Sequence, residues 1–162
     1  MLKKGNLFPD FKLKIQDGTL TTVKDLKGHW SVVYFYMKNY SDICTKLATQ
    51  FSALARKFKI RNTLIYGVSR ETERSNFNMH NEHKLAQFLL SDPDHVLIEA
   101  VGIWGPKMLH GKQAIGLHRT TFILDPDARV QQVFPAVNPH HNHPSSVLEA
   151  LLILQDKEPS HQ

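Results

Sequence analysis

Hydrophobic and polar residues follow three different patterns along the chain. At residues 11–15, FKLKI alternates apolar and polar positions, and QDGT supplies a turn before LTTV, which predicts an opening β-hairpin. SVVYFY at 31–36 is instead a continuous β-branched and aromatic run, the signature of a strand buried on both faces. Between 45 and 59 the period lengthens. Leu47, Phe51, Leu54 and Phe58 recur at offsets of four, three and four, which predicts an amphipathic helix with one buried stripe. NTLIYGVS at 62–69 reads as the next buried strand, with Ser69 a candidate cap for a polar helix running to about His83.

QFLLS predicts a third strand stopped by DPD, and HVLIEAVG a short helix closed by Gly102. Strands at 120–124 and 129–134 join through a turn at Asp125 and Pro126, forming a second hairpin. PSSVLEALLILQ then predicts a final helix whose apolar face holds Val147, Leu148, Leu151 and Leu152. This order implies an α/β fold. A mixed central β-sheet combines parallel strands, joined by right-handed crossovers, with an antiparallel edge; helices cover both faces, and the N-terminal hairpin is an extension.

Composition narrows the class without changing this picture. The 162 residues suit a single domain spanning 1–162, and 41% hydrophobic with 22% charged residues is ordinary for a soluble globular chain. No apolar run approaches the roughly 20 residues of a bilayer span, and MLKKGNLFPDFKL lacks the apolar region of a secretory signal. A cytoplasmic protein without membrane contact is the expectation. The net charge of +5 raises nucleic acid as a partner, but the basic residues are scattered. Their densest group, RKFKIR at 56–61, closes a predicted helix, where cations favour the negative dipole end. No nucleic-acid surface is expected.

Cys44 is the only cysteine, so no internal disulfide can form. It follows the loop MKNYSDI, at the carboxyl end of a predicted parallel strand and in the first turn of the helix. Ligands gather at such strand ends, and free backbone N–H groups with the positive dipole end favour a thiolate. The plainer reading is a small buried hydrophobe, with Ser41 as a purely structural N-cap. Position alone leaves both open.

The same residues carry a family resemblance. YFYMKNYSDICTKLAT is similar to the active-site loop of peroxiredoxins of the bacterioferritin comigratory protein or peroxiredoxin Q group, with its pattern Pro-x-x-x-Thr/Ser-x-x-Cys. PDFKL, DLKGHWSVVYFY, GVS, LLSDPD, GIWGPK and RTTFILDPDARV follow in the family's order and near its spacing. The resemblance implies a thioredoxin-like fold and reduction of hydrogen peroxide or organic hydroperoxides by a cysteine thiolate, without metal or organic cofactor. It assigns Cys44 as the peroxidatic nucleophile, Ser41 as the hydroxyl that orients peroxide, and Arg119 as the cation that holds the thiolate and donates to the peroxide oxygens. Without that resemblance, Arg119 reads as an exposed strand-end charge.

Two positions depart from the family pattern. Met37 stands where the family has proline, and Thr49 where many members carry a resolving cysteine. Thr49 and the lack of another cysteine imply a one-Cys cycle with an external reductant, thioredoxin or glutathione and glutaredoxin, and the resemblance, whose members include monomers, implies a monomer. The alternative is a redox sensor, thiol-exchange or interaction protein on the same scaffold. Stoichiometric sulfenic-acid formation without turnover favours that alternative, and rapid turnover with thioredoxin excludes it.

Three further features bear on the site. His140, His141 and His143 in NPHHNHP have spacings compatible with a transition metal, although a solvated loop is the favoured reading and no metal site is expected. His110 and His118 read equally as surface residues or as tuning charges near Arg119, and Trp104 as packing or a pocket wall rather than a reacting group.

Overall fold

The computed structural model describes residues 1–138 and 140–157. A seven-stranded sheet in the order β2-β1-β5-β4-β3-β8-β9 forms its centre. The strands are β1 (Lys12–Lys14), β2 (Leu20–Thr22), β3 (Trp30–Phe35), β4 (Thr63–Ser69), β5 (Phe88–Ser91), β8 (Thr120–Leu124) and β9 (Val130–Phe134). A separate hairpin pairs β6 (Trp104–Leu109) with β7 (Lys112–Leu117). The helices are α1 (Asp42–Ile60), α2 (Glu73–Glu82), α3 (Val96–Ala100) and α4 (His143–Asp156).

All six residues of β3 are buried, as its continuous apolar run requires. It runs parallel to β4 and antiparallel to β8, and β4 runs parallel to β5. Successive side chains divide between the two faces. Trp30, Val32 and Tyr34 join one core with Leu47, Phe51 and Phe58 of α1, Met79 of α2, and Val147 and Leu151 of α4. Val33 and Phe35 face the other core, covered by Leu97 and Ile98 of α3, Leu26 of a 3-10 turn, and Phe8 and Phe11 of the N-terminal segment. Helices therefore lie on both faces. The N-terminal hairpin extends the sheet through the antiparallel pairing of Lys14 with Ser91.

Gly67 shows how closely these layers approach. A Cβ there would stand 2.7 Å from both Cζ and Oη of Tyr34, whose ring covers the glycine. Tyr34 stacks on Phe51 and accepts a hydrogen bond from Gln87 Nε2 at 2.9 Å. The same amide nitrogen donates to the Ala48 carbonyl at 2.9 Å, tying β3 and α1 to the approach of β5.

Some local expectations shift. Thr72, not Ser69, caps α2, its hydroxyl accepting from Ser75 N at 3.1 Å. Ser69 is fully buried and accepts from Glu71 N within the turn. On α4, Leu154 rather than Leu152 packs against the core beside Leu148. The β6–β7 hairpin went unpredicted, although His110 and Gly111, at φ of 52° and 78°, form the two-residue turn between its strands. Its exposed Met108 and Ile115 explain the weak signal, because few of its side chains enter a core.

Candidate active site

Residues 36–41 connect β3 to α1 at the carboxyl end of the parallel strands. Polar contacts with the start of α2 hold this loop. Tyr36 Oη donates to Asn39 Oδ1 at 2.8 Å, and Asn39 Nδ2 donates to Asn76 Oδ1 at 2.8 Å and Ser75 Oγ at 3.0 Å. The Asn39 backbone N–H and the Ser75 hydroxyl both donate to Glu71 Oε2. Burial, above all, pushes the Tyr36 phenol well above its ordinary pKa, so it stays a neutral donor. Tyr40 completes the turn in the left-handed region at φ 67°, a conformation non-glycine residues adopt sparingly.

Ser41 is the N-cap of α1, and its Oγ accepts from Cys44 N at 3.2 Å. Two of the residues singled out in the sequence thus meet directly. Cys44 is 3% exposed and packs in the core that contains Tyr34, Tyr36, Leu47 and Ala48. Ser41 Oγ uses a lone pair on the amide, which leaves its hydroxyl proton available to a neighbouring anion or oxygen.

Arg119 reaches the same helix from the opposite strand. Thr120 opens β8 opposite Phe35, the last residue of β3, so antiparallel pairing carries Arg119 to the end of the sheet where the loop begins. Val137 N donates to the Arg119 carbonyl at 3.1 Å and fixes that backbone. The side chain is half-buried, not an exposed strand-end charge. It lines a cavity of about 10 Å³ with Ile43 and Leu47, which bracket Cys44 on α1, and with Gln50, Val137, His141 and His143. Its Nε is buried without a partner among the described residues. No hydrogen bond joins its side chain to Ser41 or Cys44.

The histidine cluster separates. His140 and His141 are exposed, whereas His143 is buried, with Nε2 2.8 Å from Thr121 Oγ1 and its ring edge-on to Phe51 and Phe134. Burial lowers its pKa to about 4. Among the described residues no group of three or more His, Cys, Asp or Glu side chains is arranged to hold a metal. His143 therefore belongs to the core. Its spacing of four from Val147 and of eight from Leu151 continues the buried stripe of α4, the signal that identifies it.

The other singled-out residues take plainer roles. His118 Nε2 lies 3.0 Å from the Pro106 carbonyl and braces β6 against the segment before Arg119, while His110 forms the hairpin turn. Trp104 stacks on His95 at 4.4 Å, with the Arg70 guanidinium 4.8 Å from its ring centroid. Thr49 Oγ1 donates to the Lys46 carbonyl within α1. Met37 packs against the cores on both faces, and its sulfur accepts from Lys107 Nζ at 3.3 Å. Sequence reasoning missed Lys107, because nothing local relates positions 70 residues apart.

The sequence profile of the AhpC/TSA family matches residues 4–133, and the chain belongs to that family. Its relatives are peroxiredoxins of the Bcp, or Q, group. Peroxiredoxin Bcp of Xanthomonas campestris pv. campestris is 37% identical over 142 residues, covering 88% of each chain. Peroxiredoxin Bcp of Bacillus subtilis is 32% identical over 152 residues, covering 94% of each. A structure of the X. campestris bacterioferritin comigratory protein, from work on its alkyl peroxide reduction activity, superposes with a TM-score of 0.86 at 34% identity. That alignment covers 95% of the present chain and 98% of the other, and the α/β fold is the thioredoxin-like fold of these peroxiredoxins. The X. campestris peroxiredoxin Q has also been solved with serine replacing either of two cysteines, whereas this chain has one.

Proposed function

We propose that this chain is a thiol-dependent peroxidase that reduces hydrogen peroxide and organic hydroperoxides through Cys44. The observation that carries the residue assignment is the first turn of α1, where Ser41 caps the Cys44 amide and Arg119 packs beside Ile43 and Leu47. The Cys44 sulfur attacks one peroxide oxygen along the O–O axis. An S–O bond forms as the O–O bond breaks, sulfur loses two electrons, and the departing oxygen leaves as alkoxide or hydroxide, which takes a proton to become alcohol or water. Charge shifts onto that oxygen, so donors aimed at it lower the barrier. The Arg119 guanidinium supplies a fixed fork of such donors, and the Ser41 hydroxyl orients the peroxide.

The product is a cysteine sulfenic acid. Because Thr49 occupies the position of a resolving cysteine and the chain holds no second thiol, reduction comes from outside. One external thiol displaces hydroxide as water to give a mixed disulfide, and a second releases Cys44. Thioredoxin, or glutathione with glutaredoxin, fits this cycle, acting on a cytoplasmic monomer. No helix among the described residues is long and apolar enough to cross a membrane.

The test is the rate at which the reduced protein loses its free thiol on mixing with hydrogen peroxide and with an organic hydroperoxide, measured beside a small-molecule thiol. A rate orders of magnitude above that reference supports a peroxidatic site. A rate no better than the reference overturns it, and leaves a thiol-exchange or sensing protein.

A further inference from the structure

We propose that Lys107 is a positioning residue for this site, holding loop 36–41 and the segment that carries Arg119 in one geometry through the sulfur of Met37. The proposal rests on the peroxidase reading above. Lys107 leaves β6 and lies across the hairpin over Gly116, where a Cβ would stand 3.2 Å from Lys107 Cδ. The bare glycine gives the lysine stem its path. The ammonium then donates to two acceptors on different segments, the Leu117 carbonyl at 2.9 Å and Met37 Sδ at 3.3 Å.

These acceptors flank the site. Leu117 lies two residues before Arg119, and Met37 lies two residues beyond the end of β3, in the loop that leads to Ser41 and Cys44. Met37 packs against both cores, so its sulfur is an anchored acceptor. A thioether accepts weakly from neutral donors, but a charged donor strengthens the contact, and an ammonium can hold two acceptors at once. Desolvation and, after it, the charge of Arg119 lower the Lys107 pKa, which places the two cations within electrostatic reach. Met37 thus does more than fill the space of the family's proline: it is the grip by which the β6–β7 hairpin holds the loop.

Peroxide and iodoacetamide both consume the thiolate, but only peroxide needs donors around a departing oxygen. The ratio of the two second-order rates therefore separates positioning from thiol ionisation. Lys107→Met is expected to lower that ratio about tenfold, the effect of losing one charge-assisted hydrogen bond. Met37→Leu should lower it in the same direction, and the double variant should be no worse than Lys107→Met alone. Lys107→Gln repeats the test with a polar end should Lys107→Met fold poorly. An unchanged ratio at position 107, or losses that multiply in the double variant, overturns the proposal. Failure of the peroxidase reading is a separate outcome: the unmodified protein then reacts with peroxide no faster than a free thiol.

Discussion

At the residue scale, Cys44 and Ser41 at the start of α1, with Arg119 before β8, carry three functional expectations. Cys44→Ser removes the only sulfur nucleophile in the chain, so peroxidase activity should vanish, and the thermal midpoint should fall by only a few degrees as a buried hydroxyl replaces a sulfur in the core, about 1 kcal/mol. Activity surviving that change would sink the mechanism. Arg119→Ala should slow peroxide attack about 100-fold, the usual cost of one donor to a developing oxyanion, with the circular dichroism spectrum intact. Ser41→Ala loses both the cap and the hydroxyl. It should cost about 1 kcal/mol in chemical denaturation, and it should also slow thiol loss to peroxide.

At the element scale, the junctions between layers set stability. Gly67→Ala pushes a methyl into the Tyr34 ring, which Phe51 and Gln87 hold in place, and should cost about 2 kcal/mol in urea unfolding. His143 ties α4 to β8 as a neutral ring. Its pKa, lowered to about 4 by burial, means that only the unfolded chain takes up a proton as pH falls below about 6.5. Stability linked to His143 is then complete above that pH, declines between about 6.5 and 4, and levels off below, a total of about 3 kcal/mol. Denaturation midpoints measured across this window should show that slope in the native protein and a shallower one in His143→Gln.

The same junctions explain which elements the sequence reveals. β3 and α1 stand out because all of β3 and one stripe of α1 are buried, and burial leaves a continuous run in one and a three-to-four spacing in the other. β6 and β7 bury too few side chains to leave a period. Ser69 and Thr72 both offer hydroxyls before α2, and the choice between them depends on where the chain turns. His143 reads as part of a solvated histidine loop until its place in the α4 stripe is counted.

At the scale of the whole molecule, the thioredoxin-like sheet brings together residues far apart in the chain. Ser41 and Cys44 are legible locally, as a cap three residues before a first-turn cysteine. Arg119 is legible only through family resemblance, because antiparallel pairing of β8 with β3 carries it to the site. Lys107 and Met37 meet through tertiary packing alone. The single cysteine also makes a prediction for the whole chain. One equivalent of peroxide should add the mass of one oxygen atom, and the protein should still migrate as a monomer without reducing agent. A covalent dimer formed in proportion to peroxide would instead show that Cys44 resolves on its own copy.

In the cycle proposed above, the 3% exposure of Cys44 would distinguish peroxide from a protein reductant by size. A peroxide is small enough to approach through slight breathing of the loop, whereas the thiol of a protein reductant needs the oxidised sulfur brought outward. In the proposed cycle, reduction by a protein thiol would then draw on unwinding of the first turn of α1, the turn that Ser41 closes. Fraying that slows capture of peroxide should speed release of the sulfenic acid to its reductant, so the strength of one cap sets how turnover is divided between the two half-reactions.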